Sequence, residues 1–295
     1  MLYLILAVCC NLAIGMIFKY TGQQRLDAVA LLTVNYAVAA LVAGVLLLRE
    51  GSGVLTGAVL DAPLLVLGVV TGALFIGGFF VYALATQMAG LSLAIGVMRV
   101  SVVVPFLASW VIWSEVPSVA QSLGLVIAGA AFFMIARRHQ DAPTAPTEQP
   151  GSAGGVFGIL VILFLAGGLV DVMMKTFDEA FADHHSRAVF LLLVFGIALF
   201  IGLVFVVSKG VRTGVWPDRA TWVWGIILGL INYGSAAFLL RAIEELSGPF
   251  VFPANSIALV IGGALLGIFV WGEHLSRLNW LGLACAAIAL VLLNL

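Results

Sequence analysis

The chain carries one pattern twice, and the pattern is apolar. Gly68, Gly72 and Gly77 return 157 residues later as Gly225, Gly229 and Gly234, and Trp113-Ser114-Glu115 returns after 158 as Trp271-Gly272-Glu273. Behind each Trp-x-Glu, Ser118, Leu123, Gly124 and Ala128 match Ser276, Leu281, Gly282 and Ala286. A duplicated block of membrane helices points to a transporter built from two halves around a central site.

The apolar character decides the class. Hydrophobic residues make up 63% of the 295 and charged residues 9%, where a soluble domain carries about a quarter of its residues as charges. No water-soluble shape of this length hides so much apolar side chain, so the chain is read as a polytopic membrane protein. A net charge of −1 gives no reason to expect a nucleic-acid partner. Cys9, Cys10 and Cys285 sit in apolar runs without CxxC or metal-ligand spacing and read as small core residues. The first apolar run lacks a basic n-region and a small-residue cleavage site, so it reads as a retained span rather than a signal peptide.

A crossing helix needs about 20 mostly apolar residues. That length predicts ten spans, at 2–19, 29–48, 63–86, 92–113 and 119–137, then 155–175, 187–208, 220–242, 249–271 and 277–294. Residues 138–154 are rich in Pro, Ala, Thr and Gln and read as a flexible linker. The expected fold is therefore all-α, with a five-helix repeat over 1–137 and a second over 155–295. Five is odd, so the second repeat should lie inverted, related to the first by a pseudo-two-fold axis in the membrane plane. The recurring Gly-x-x-x-Gly pairs, 68 with 72 and 225 with 229, let backbones approach closely and place the third and eighth spans inside the bundle.

Loop charge suggests an orientation. Lys19, Arg25, Arg137, Arg138, Lys209, Arg212, Arg219 and Arg277 fall on the linker's side, against Arg49, Lys175, Arg187 and Arg241 on the other. The excess of positive residues puts the linker in the cytoplasm and both termini outside.

These residues resemble a known family. The five-plus-five duplication, the glycine-rich third and eighth spans, the two Trp-x-Glu-x-x-Ser segments and the lysines closing the first span of each half (Lys19, Lys175) look like paired EamA-type domains of the drug/metabolite transporter superfamily, ten-helix branch. The likeness covers the chain apart from the linker. It implies a secondary carrier of the cell (inner) membrane, often an exporter of amino acids, metabolites or drugs. It also implies a central cavity lined by spans 1, 3, 4, 6, 8 and 9, with spans 5 and 10 peripheral. Trp113 with Glu115 and Trp271 with Glu273 then sit at helix ends, just before spans 5 and 10. A carboxylate there suits the positive end of a helix dipole, so structural capping is the main reading for both glutamates. A gate or an ion-coupling role is the other.

Ionisable groups inside spans cost about 2.5–3.5 kcal/mol each even by insertion measurements, so each is a functional candidate. Arg99 has no acidic residue within a turn, so its partner comes from another helix, a ligand or water, unless it snorkels to the interface. Asp171 and Lys175 are spaced four apart for one helical face and for an ion pair. Asp171 has two alternatives, pairing with Arg99 or carrying a proton. Asn232-Tyr233 on the eighth span, and Asn255 and Ser256 on the ninth, offer hydrogen bonds and a stacking face to a solute; Asn35-Tyr36 on the second span is expected to line the cavity less. Pro105 and Pro253 each remove a backbone donor and mark possible bends. The run Asp178, Glu179, Asp183, His184 and His185 matches no metal-ligand spacing and reads as a solvated loop, as does the Gly51–Gly57 stretch.

The expected function is secondary transport of small organic solutes by alternating access, with protons as a candidate coupling ion and the bilayer as surroundings. A single chain holds both halves, so a monomer suffices. A flippase for a lipid or lipid-linked precursor is the alternative. An embedded enzyme is the third reading, and HExxH, GxSxG and Walker A motifs are all missing. No cofactor is expected.

Overall fold

A computed structural model describes residues 1–50, 61–136, 153–181, 183–246 and 248–295. Most of the proposed linker and the Gly51–Gly57 stretch lie outside the described residues. Among those described, every regular element is a helix: α1 Leu2–Gln23, α2 Ala28–Glu50, α3 Ala62–Met88, α4 Leu91–Val100, α5 Val103–Trp113 and α6 Val119–Ala136 in the first half. The second half has α7 Ala153–Ala180, α8 Arg187–Thr213, α9 Arg219–Leu246, α10 Gly248–Trp271 and α11 Arg277–Leu293. Among the described residues, nine segments are long and apolar enough to cross a membrane, α4 and α5 together counting as one, and α11 adds a shorter apolar helix of 17 residues. The chain is a polytopic membrane protein.

The helices interleave across the two halves. The most extensive pairings are α6 with α11, α1 with α9, α2 with α8 and α9, α3 with α7 and α8, and α4 with α10. Glycine makes these approaches possible. A Cβ on Gly229 would stand 2.7 Å from the Val38 Cβ and 3.0 Å from the Asn35 carbonyl of α2, and one on Gly72 would stand 2.8 Å from the Val194 carbonyl of α8. The Gly-x-x-x-Gly pairs on α3 and α9 thus seat against α8 and α2. The outer faces keep large apolar side chains such as Leu41, Val66, Phe205 and Phe269 exposed, as a surface solvated by hydrocarbon requires.

One end of the α6–α11 pair is pinned by hydrogen bonds. Ser276 caps α11 in a capping box with Asn279, and the buried Asn279 amide also donates to the Met134 and Ile135 carbonyls at the end of α6, at 3.3 and 3.1 Å. Those carbonyls belong to a helix end without intrahelical donors. Asn279→Ala is expected to cost about 1–3 kcal/mol, from lost hydrogen bonds and orphaned carbonyls. Thermal unfolding in detergent measures it.

The fourth span differs from expectation, because it is broken rather than continuous. Pro105 has no N–H to give the Ser101 carbonyl, which takes Val104 N at 2.9 Å instead, while the Ser101 hydroxyl donates to the Met98 carbonyl at 2.7 Å. α4 therefore stops at Val100 and α5 starts at Val103. In contrast, α10 runs from Gly248 to Trp271 through Pro253 without interruption. Cys9 also departs from its reading: it is exposed on the outside of α1, while Cys10 and Cys285 are half-buried and all three are free.

Candidate functional site

At the end of the bundle where α1 finishes, Glu273 is enclosed by donors. Leu91 N and Ser92 N donate to it at 2.6 and 3.0 Å, the Ser92 hydroxyl at 2.6 Å, and the Lys19 ammonium forms an ion pair with it. Lys19 also stands over the Trp271 ring, 5.6 Å from its centroid. The carboxylate thus caps α4 at the positive end of its dipole. The expectation that Glu273 caps the tenth span is corrected: Ser276 caps α11, and Glu273 reaches across to another helix. Room for it depends on Gly90, which has φ 97° and whose Cβ would come within 2.9 Å of the carboxylate. Burial pushes the Glu273 carboxyl up, but Lys19 and the Ser92 hydrogen bonds outweigh it and hold the group below its ordinary value. A depressed carboxylate contributes its stabilisation above that value and loses it as pH falls through its folded pKa. This contact is therefore expected to hold through the neutral range and to loosen only below the usual carboxylate range, which spin-label distances across it would follow.

The mate of this cluster lies at the opposite end. Lys175 pairs with Glu115 at 2.7 Å and with Glu179 at 3.5 Å, and stands 5.4 Å from the Trp113 ring centroid. This corrects two expectations. Lys175 turns to Glu115, not to Asp171, and Glu115 serves Lys175 instead of capping the fifth span, where Ser118 and Gln121 exchange the hydrogen bonds. The two sites match in backbone: Ser114 and Gly272 close their helices in the left-handed region at φ 58° and 62°. They differ in enclosure. The Lys19 and Glu273 side chains are each 11% exposed, Lys175 and Glu115 27% and 51%.

Between the two ends, the break in the fourth span sets Arg99 in the last turn of α4. α7 crosses this break through Gly167 and Gly168, and a Cβ on Gly168 would stand 2.9 Å from the Ser101 carbonyl. Asp171, one turn further along α7, and the Tyr82 phenol of α3 come within electrostatic reach of Arg99. Asp171 is deep in the bundle yet keeps an exposed side chain, so it borders open space there. The Arg99 Nε is buried without a hydrogen-bond partner among the described residues. Buried polar atoms in that condition are uncommon and call for a partner.

Other predicted residues are placed differently. Asn232 donates to the Asn35 Oδ1 of α2 at 3.2 Å, so the second span, expected to matter less, supplies a buried partner. Tyr36 beside it is fully buried, its hydroxyl and the Asn35 Nδ2 both without a partner among the described residues. Rings run from Tyr36 through Phe79 and Phe18 to Tyr82, with centroids 5.5–6.3 Å apart, linking this pair to the Arg99 surroundings. Asn255 is buried, its Oδ1 without a partner among the described residues, and Ser256 and Tyr233 are half-buried. No hydrogen bond or ion pair joins Asn232, Tyr233 or Asn255 to Arg99 or Asp171 among the described residues. The loop after α7 gives no group of metal-ligating residues there, and its His185 lies 3.7 Å from Asp61.

No known protein-family profile matches the sequence. The chain is 24% identical over 285 residues to an uncharacterised protein of Haemophilus influenzae, covering 95% of this chain and 93% of that one. A shorter stretch of 121 residues is 33% identical to the probable peptidoglycan glycosyltransferase FtsW of Dichelobacter nodosus, 36% of this chain and 26% of that protein. A solved crystal structure superposes over 99% of this chain and 94% of its own, with a TM-score of 0.59 at 17% identity, a likeness of fold alone.

Proposed function

We propose that this protein is a secondary transporter of small organic solutes, of the EamA-like drug/metabolite kind, working by alternating access about the Arg99–Asp171 region. The observation carrying this reading is a half-buried arginine whose buried Nε has no partner among the described residues, set at a mid-span helix break within electrostatic reach of the exposed Asp171 carboxylate. Broken helices with ionisable groups at mid-depth are how carriers hold polar cargo in a bilayer. The guanidinium suits an anionic group of the solute, and Asp171 suits a cationic group or a coupling proton. Contacts of the kind an inverted repeat would make support the same reading. Exchanging the halves carries the α1–α9 pairing onto α7–α3, and Lys19–Glu273 onto Lys175–Glu115.

The test is uptake and efflux in reconstituted vesicles against an amino-acid and metabolite panel, with and without a pH gradient. Solute movement stimulated by the gradient is the expected result, and Asp171→Asn should remove that stimulation. Loss of stability in Asp171→Asn with pH dependence intact would assign Asp171 a structural role. On the positive-inside reading the linker is cytoplasmic, so an impermeant thiol reagent applied to intact cells should leave a cysteine placed in 138–154 unlabelled.

A flippase for a lipid or lipid-linked precursor is the second reading. It draws on an apolar groove of about 510 Å³ between the start of α3 and the end of α7, walled by Pro63, Val66, Val70, Met173 and Phe181. Most of its walls belong to the ends of two membrane spans, with Phe181 just beyond α7, and their apolar lining suits an acyl chain. Lipid movement without solute movement in the same vesicles would favour it.

A further inference from the structure

Resting on the transporter reading, we infer that the seats of Glu273 and Glu115 on the opposite half are two reciprocal latches of unequal strength: both ion pairs are made in this structure, but only Glu273 sits on a helix start, so the chain rests with the Lys19 end shut. The first latch ties three elements together: Lys19 comes from the end of α1, Glu273 follows α10, and the carboxylate is seated on the first turn of α4. It holds four donors and is largely withdrawn from solvent. The second joins Lys175 of α7 to Glu115 beyond α5, and more than half of the Glu115 side chain is open.

The inequality is written into the sequence. The repeat offset of 157 or 158 residues sets Leu91 and Ser92 against Gly248 and Pro249, or against Pro249 and Phe250. In either register Pro249 replaces one of the two amides that grip Glu273 and has no N–H to offer. No hydroxyl stands where Ser92 has one. When the Lys175 end shuts, Glu115 meets a poorer seat than Glu273 has, and hydrogen bonds to a charged group are among the stronger ones a protein makes. The Lys19 end is therefore the favoured one to be closed. Opening it strips Glu273 of donors, and the matching closure at Lys175 returns only part of that stabilisation. A solute that bridges the halves supplies the remainder.

Spin-label distances in nanodiscs test this without needing the solute. In a chain freed of native cysteines, one pair at Gln24 and His274 spans the Lys19 end and a second at Val116 and Ala180 spans the other. The unsubstituted latches should give a short, narrow distance distribution for the first pair and a longer, broader one for the second, whose ends are joined only by the exposed Lys175–Glu115 pair. Glu273→Gln should add a long component to the first pair and a short component to the second. Ser92→Ala, which keeps the ion pair, should do both to a smaller degree. A shift of roughly tenfold in the population ratio is expected for Glu273→Gln, the equivalent of one charged hydrogen bond. Opening at Gln24–His274 with Val116–Ala180 unchanged would overturn reciprocity, and unchanged distances in both variants would overturn the latch itself. Either failure leaves the vesicle transport assay untouched, so the transporter reading stands or falls separately.

Discussion

On the proposed transporter reading, Arg99→Ala is expected to abolish transport while the protein still inserts, purifies and unfolds with close to its normal midpoint. This is the largest effect on activity expected of any single substitution. The side chain makes no hydrogen bond among the described residues that its loss would break, and removing a charge from a membrane interior lowers the burial cost by about 2.5–3.5 kcal/mol on insertion scales. A residue of structural importance would show the reverse pattern, with stability falling alongside activity. Arg99→Lys separates two modes of holding an anion. A point charge is preserved and transport recovers in part, whereas a two-toothed carboxylate contact is lost and transport stays low. Flux in vesicles and the thermal midpoint, measured on the same preparations, decide between them.

The largest effect on stability is expected from Gly229→Ala. The added methyl would meet both Val38 and the backbone carbonyl of Asn35, and backbone cannot rotate away. α9 and α2 must separate, and the Asn232–Asn35 hydrogen bond lies one turn along the same contact. Forcing extra volume into a packed interface costs typically 1–3 kcal/mol, and the strained amide pair places this substitution at the upper end. Gly77→Ala is the control, since a Cβ there meets nothing within 4 Å. Equal midpoints for the two variants would show that the α2–α9 approach is looser than the packing indicates.

Repetition in the sequence foretold some of these contacts and was silent on others, for physical reasons. Matched glycines identified the faces on which α3 and α9 approach α8 and α2, because close backbone approach leaves a residue-type mark, but α9 is not an inner helix, since only 22% of its span is buried. The Trp-x-Glu segments were visible too, but their role was misread. A glutamate before a helix resembles a cap, and nothing local reveals that Glu273 instead seats on α4 and pairs with Lys19, 254 residues away. Lys175 was assigned to Asp171 by helical spacing, a rule that ranks neighbours on one helix and ignores those on others. Asn35 was underrated because a single amide in an apolar run carries no sign of what faces it. The break at Ser101 could be suspected from Pro105, yet Pro253 raised the same suspicion in a helix that continues.

The interleaving of the halves bears on how such a chain is made. A ribosome delivers α1 through α6 long before their principal partners exist, because α9, α8, α7, α10 and α11 all follow. The first half therefore enters the bilayer before its principal partners, and Lys19 precedes Glu273 by 254 residues. α6 waits longest, since the Asn279 amide that closes its end arrives with the last helix. A chain stopped short of α11 leaves the end of α6 without the Asn279 amide that closes it.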